Sequence, residues 1–182
     1  MARAWRFGDF VNTDQIIPGR DNVTTDPGEL DRACFIEHGP EFAAEVRPGD
    51  VIVAGEDFGC GSSGEHAVIA ILATGVSAVP ATSFARIFYC YCNAINRGLA
   101  LLECPEAVED GAEVELDPAR GRVLDRTGDR ELLTRPLPEL AQRIARHGAV
   151  VELVRAHGSL NGARGSECEP APPQTHRNRR MR

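Results

Sequence analysis

The segment that most constrains this chain is the stretch from Gly55 to His66, Gly-Glu-Asp-Phe-Gly-Cys-Gly-Ser-Ser-Gly-Glu-His, set between two apolar runs. Before it, residues 51–54 (Val-Ile-Val-Ala), entered from Pro48-Gly49-Asp50, read as a short buried strand. After it, residues 67–74 read as a helix that Gly75 closes. Residues 76–80 form a second strand, 82–96 a second helix ending at Gly98, and 99–102 a third strand. Strand, helix, strand, helix, strand is the order of a parallel α/β sheet. A glycine-rich turn that opens into a helix gathers backbone N–H groups around a concavity. The helix end adds about half a positive charge, so the turn suits a carboxylate or phosphate.

The flanking regions organise around this unit. Residues 1–20 carry a short apolar alternation, then Asn12-Thr13-Asp14-Gln15-Ile16-Ile17-Pro18-Gly19-Arg20, with turn signals on both sides of an apolar step. Residues 21–28 are polar and turn-rich, a surface loop. Residues 29–46 read as a weak helix broken at Gly39-Pro40. Further on, residues 114–116 and 123–124 flank a hairpin turn at 117–121. Residues 137–146 form a helix capped by Gly148, and 149–154 a terminal strand. From Gly158 onward Gly, Pro, Ser, Asn and Arg dominate without periodicity. The expected division is a folded domain over residues 1–158 and a disordered basic tail over 159–182.

Composition narrows the function classes. A body of about 160 residues buries roughly 70% of its unfolded surface, so the fold needs no disulfide or metal staple. All 20 basic residues are arginine. The absence of lysine excludes a Schiff-base lysine and a P-loop lysine. Residues 161–182 hold five arginines and two glutamates, a net of +3, so the remainder carries −10 against −7 for the whole chain. A body that acidic argues against a nucleic-acid partner, although the basic tail alone could touch RNA in a salt-sensitive way. No run approaches the roughly 18 apolar residues of a bilayer span, and residues 1–10 lack the apolar core of a signal peptide. A cytoplasmic protein without membrane contact is expected. The six cysteines (34, 60, 90, 92, 104 and 168) form no CxxC pair, and in a cytoplasmic chain they read as mostly free thiols.

Within the glycine-rich stretch, Ser62 and Glu65 have the spacing of a capping box, which would make Ser62 an N-cap worth about 1 kcal/mol. The stretch matches neither a Walker A loop nor a dinucleotide fingerprint. His66, on the first helical turn, reads as a packed structural residue. Cys90-Tyr91-Cys92 supplies two thiols where zinc takes four ligands, so these read as core cysteines.

Taken in order, the motifs resemble one family. They are Asn12-Thr-Asp-Gln-Ile-Ile-Pro18, Gly49-Asp-Val-Ile-Val-Ala-Gly55, Phe58-Gly-Cys-Gly-Ser-Ser63, Glu65-His66-Ala67, Ser83-Phe-Ala-Arg-Ile-Phe-Tyr89 and Asn93-Ala-Ile-Asn96. Over about residues 5–157 the chain resembles the small subunits of 3-isopropylmalate dehydratase, in the aconitase family. That resemblance implies a three-layer β/β/α swivelling domain docked on a large subunit as a heterodimer or heterotetramer. The large subunit, not this chain, would hold the 4Fe–4S cluster. No cysteine trio here has cluster-ligand spacing, and no metal site is expected. The implied reaction is reversible dehydration of a 2-hydroxy di- or tricarboxylic acid, with 3-isopropylmalate as the default substrate. Homoaconitate and dimethylmalate types are the alternatives, as is a non-catalytic assembly or regulatory subunit.

The resemblance also implies roles. Ser62 matches the base that removes the carbon-bound proton, Ser63 a hydrogen-bond donor to a substrate carboxylate, and Asp14 an acidic site residue. Arg20 matches a carboxylate clamp, for which a bidentate guanidinium is suited. Three positions depart from the family pattern. Gly64 stands where an arginine is expected. The loop Asp21-Asn22-Val23-Thr24 is more polar than the usual one. Phe88-Tyr-Cys-Tyr-Cys-Asn-Ala94 carries two extra residues and lacks a basic side chain.

Overall fold

A computed structural model describes residues 1–160 apart from Cys92, Asn93 and Ala107, and only the backbone of Cys90 and Tyr91. In chain order the elements are β1 (Ala2–Arg6), α1 (Thr13–Ile16), α2 (Pro27–Ala33), α3 (Pro40–Glu45), β2 (Val51–Val53), α4 (His66–Ala73) and β3 (Val79–Ala81). They continue with β4 (Leu101–Glu103), β5 (Glu113–Asp117), β6 (Arg122–Asp125), β7 (Arg130–Leu133), α5 (Glu139–His147) and α6 (Val150–His157). One sheet runs β2-β1-β5-β6-β7, and a second pairs β3 with β4. β1–β2 and β3–β4 are parallel, whereas β5, β6 and β7 form an antiparallel meander. Parallel bridges Val51–Ala78 and Ala54–Ala81 join β2 to the second sheet, so the parallel strands form one continuous block.

That block is buried on both faces, as the period-2 geometry of its strands requires. Trp5 and Ile52 join the core beneath the helices, while Ala4, Val51 and Val53 join a second core shared with the meander and α5. Helices, parallel strands and meander thus make three layers. The first core holds an aromatic group in which Phe7 stacks on Phe35 (centroids 4.0 Å apart) and Phe42 meets Trp5, Phe7 and Phe35 edge-on. Asp50, buried at the entry to β2, accepts hydrogen bonds from the Trp5 indole N–H (3.0 Å) and the Arg3 and Arg47 amides. It fixes the register in which β2 meets β1.

The structure corrects several local readings. Residues 82–96 do not form one α-helix. Phe58 N–H donates to Ser83 O and Ala85 N–H to Phe58 O, so residues 83–85 run extended beside the glycine-rich loop. A π-helix, Ile87–Tyr91, comes after them. Residues 149–154 are not a strand. Val150, Leu153 and Val154 have helical spacing, and α6 buries Leu153 completely. α5 ends at Gly148, in the left-handed region at φ 78°, and α6 starts at once. The meander adds a further strand, β7, to the expected hairpin. The side chains of Cys90 and Cys92, and all of 161–182, lie outside the described residues. No helix among the described residues is long and apolar enough to cross a membrane.

Candidate functional site

Two loops lace together to build the site. The first, at Val11–Thr13, opens α1. Asn12 caps it, its side chain accepting from Gln15 N–H (2.9 Å) while the Gln15 side chain accepts from Asn12 N–H (2.8 Å). This reciprocal pair is a capping box. The expected one at Ser62 and Glu65 does not form: α4 starts four residues after Ser62, Glu65 is its N-cap, and no side chain caps it. Local spacing could not separate the two, because the Glu65 carboxylate is held by Arg97 from another segment (Nε–Oε2 3.1 Å).

The second loop, residues 58–63, lies against the first. Gly59 N–H donates to Val11 O (2.7 Å) and Thr13 N–H to Cys60 O (2.9 Å). Gly59 has φ +79°, and a Cβ there would fall 2.2 Å from the Phe88 ring in the π-helix. Gly61, at φ +99°, likewise lets the chain pass Thr13 closely. The glycines thus permit a backbone path that side chains would block.

Thr13 is the joint between the loops. It is only 2% exposed, its Oγ1 accepts from Ser62 N–H (3.0 Å), and the same oxygen lies 3.0 Å from Ser62 Oγ. The Ser62 hydroxyl is therefore oriented, although Ser62 and Ser63 are both exposed. Asp14, next to Thr13, lies exposed in the first turn of α1.

Arg20 sits in a 3-10 turn, Gly19–Asp21, with its guanidinium on Glu37 and 3.4 Å from Asp21. The Glu37 hydrogen bond and charge raise its pKa further above the ordinary arginine value. The same turn leads to Asn22, whose Nδ2 lies 3.9 Å from where a Cβ at Gly64 would stand. Ser62 Oγ (3.7 Å) and His66 Nδ1 (3.9 Å) are the other neighbours of that point. The structure thus carries Ser62 and Ser63 on the second laced loop, puts Asp14 just past the first in the opening turn of α1, and holds the Arg20 guanidinium in an ion pair on the adjoining turn. Sequence reasoning missed Thr13, Asn22 and the Glu65–Arg97 pair. Thr13 lies inside the Asn12–Pro18 motif, but nothing in the sequence signals the other contacts.

Among the described residues the thiols of Cys34, Cys60 and Cys104 are unsuited to anionic chemistry at neutral pH. Burial pushes the Cys60 thiol up, with the Asp57 charge adding to it, and burial does the same at Cys34 and Cys104. Among the described residues no three His, Cys, Asp or Glu side chains are grouped to hold a metal ion.

Comparison with known proteins agrees with this architecture. The family model "Aconitase C-terminal domain" matches residues 29–107. The 3-isopropylmalate dehydratase small subunit 1 of Archaeoglobus fulgidus is 48% identical over 158 residues, covering 86% of this chain and 97% of that protein. The corresponding subunit of Methanopyrus kandleri is 50% identical over 159 residues, covering 86% and 92%. The crystal structure of 3-isopropylmalate dehydratase (LeuD) from Methanocaldococcus jannaschii superposes with a TM-score of 0.79 at 43% identity, covering 85% of this chain and 92% of that one. At this identity and coverage, the chain belongs to the family of 3-isopropylmalate dehydratase small subunits, hydro-lyase components with the aconitase C-terminal fold.

Proposed function

We propose that Ser62 takes the carbon-bound proton from a 2-hydroxy di- or tricarboxylic acid as water is lost, and returns it when water adds back. The default substrate is 3-isopropylmalate, which places the reaction in leucine biosynthesis in the cytoplasm. The observation that carries this reading is the Ser62 hydroxyl, exposed yet held 3.0 Å from the buried Thr13 Oγ1. A serine base needs its alkoxide stabilised, and the start of α4 places a helix N-terminus four residues away. Ser63 donates to a substrate carboxylate. Asp14 serves as the acidic group of the site. Arg20 clamps a carboxylate by exchanging Glu37 for substrate.

The partner is a large subunit, in a heterodimer or heterotetramer, that holds a 4Fe–4S cluster. The cluster, when bound, supplies the Lewis acid for the leaving hydroxide. Two apolar side chains beside the site favour cover by another protein. Phe10, 60% exposed at a left-handed φ of 56°, accepts a bond from Cys60 through its carbonyl, and Val23, 85% exposed, follows Asn22. Strained bulky residues persist where function over-determines them.

Gly64 favours a second reading, a different acid of the homoaconitate or dimethylmalate type, or a subunit that assembles without clamping substrate. A Cβ at Gly64 meets only ordinary contacts, so the backbone there does not require glycine.

The test is Ser62→Ala in the heteromer reconstituted with the large subunit, assayed on 3-isopropylmalate. A fall in kcat of about 10²–10⁴ is expected for loss of a general base. Unchanged turnover with assembly intact overturns the role of Ser62.

A further inference from the structure

α5 and α6 end on histidines, and the two rings meet. His147 and His157 are each the last residue of their helix, each followed by a left-handed glycine cap. Their Nε2 atoms lie 3.1 Å apart, with the ring planes at 74°. His147 Nδ1 lies 2.8 Å from the Arg143 carbonyl. A carbonyl only accepts, so Nδ1 carries the proton, and in the neutral ring the Nε2 lone pair is turned toward His157.

This is the arrangement of two imidazoles bound to one metal ion. Bonds of about 2.0–2.1 Å at angles between square and tetrahedral put the two nitrogens about 2.9–3.4 Å apart. A ligating histidine regularly donates its other N–H to a backbone carbonyl, which fixes the tautomer and aims the ligating nitrogen. Both rings also sit at helix C-termini, where the backbone carries partial negative charge that favours a cation. Of the nearby arginines, Arg155 pairs with Glu152 and Arg143 donates to Leu160 O (3.0 Å).

We propose that His147 and His157 form a binding site for a borderline divalent transition ion, which ties α5 to α6. Imidazole pairs suit Zn²⁺, Ni²⁺ and Cu²⁺, and not the hard, oxygen-seeking Mg²⁺. Without the ion, His157 Nε2–H donates to His147 Nε2. On binding, the His157 proton moves to Nδ1 and both Nε2 lone pairs face the ion, so neither ring changes charge. Among the described residues no third His, Cys, Asp or Glu joins the pair in a group of three.

The experiment is calorimetric titration of the full chain with ZnCl₂ under a non-thiol reductant, beside His147→Gln and His157→Gln. Each substitution is expected to remove one zinc equivalent or weaken it at least tenfold, with MgCl₂ inert in all three proteins. Binding to thiols elsewhere is common to all three and cancels in the comparison. Identical zinc uptake in wild type and both variants overturns the site. If either variant misfolds, the wild type alone decides by NMR: zinc must shift the His147 and His157 ring resonances, and unshifted rings at saturating zinc overturn it.

Discussion

Thr13 Oγ1 accepts the Ser62 amide and stands 3.0 Å from the Ser62 hydroxyl, so one buried oxygen fixes both ends of the proposed base. Thr13→Val keeps the branched shape and removes that oxygen. An unpartnered polar group at such a joint costs about 1–3 kcal/mol. Because Thr13 is buried and acts through Ser62, kcat in the reconstituted heteromer is expected to fall about tenfold while KM changes little. Thr13→Ser, which keeps the oxygen, should restore most of the rate. A kcat that does not distinguish Val from Ser reduces Thr13 to a packing residue.

Gly59 brings the same loop against the π-helix, where its missing Cβ leaves space for the Phe88 ring. Gly59→Ala forces a side chain into a left-handed backbone, at about 1–3 kcal/mol, and presses it on a fully buried phenylalanine. In a chain of this size each kcal/mol lowers the melting midpoint by about 2–4 °C. Thermal denaturation should register that loss. Gly59→Ala combined with Phe88→Leu should recover part of it, because the smaller side chain relieves the contact but not the backbone strain.

Asp125 is 3% exposed in β6, where it accepts from the Gly128 amide (2.7 Å) and pairs with Arg130 (2.9 Å). Burial alone would raise its pKa. The Gly128 amide, Arg130 and the Thr127 amide together outweigh burial and hold the carboxyl below the usual range. A carboxylate with a lowered folded pKa contributes its full stability above the unfolded value of about 4, and loses it as pH falls through the folded value. Asp125→Asn is therefore expected to be less stable than wild type at pH 7. The gap should narrow below about pH 4 in urea melts; a constant gap removes the ionic contribution.

Legibility in the sequence tracks how local each feature is. The buried run at β2, α4 with its closing Gly75, the turn of the β5–β6 hairpin and the Gly148 cap all depend on neighbours within a few residues, and sequence reasoning locates them. The failures are non-local. Residues 83–85 have helix-compatible side chains but bond to Phe58, so pairing overrides propensity. The Ser62/Glu65 spacing imitates a cap, yet Arg97, 32 residues further on, takes the glutamate. At the site, the motifs mark Ser62, Ser63, Asp14 and Arg20 as candidates. No local rule places Thr13 under Ser62 or Glu37 on Arg20. These contacts arise only when the two loops and the adjoining turn are folded together.

Gly64 stands where the family resemblance implies an arginine, so it is the position at which to test which acid the proposed site takes. The position has room: a Cβ there sits 3.7–3.9 Å from Ser62 Oγ, Asn22 Nδ2 and His66 Nδ1, all ordinary contacts, and the backbone is not left-handed. A side chain can therefore leave the backbone at this position without strain at its Cβ. A charge-assisted bond to carboxylate is worth about 1.5–3 kcal/mol, which is roughly a ten- to hundredfold change in kcat/KM. If 3-isopropylmalate is the substrate and the native site lacks a clamp, Gly64→Arg should raise activity on it by about that factor. If the polar surroundings of Asn22 and His66 suit another acid, Gly64→Arg should instead lower turnover of that acid in a substrate panel on the co-expressed pair. Activity unchanged on every acid means that this loop does not meet substrate, and moves the specificity question to Arg20 and its exchange with Glu37.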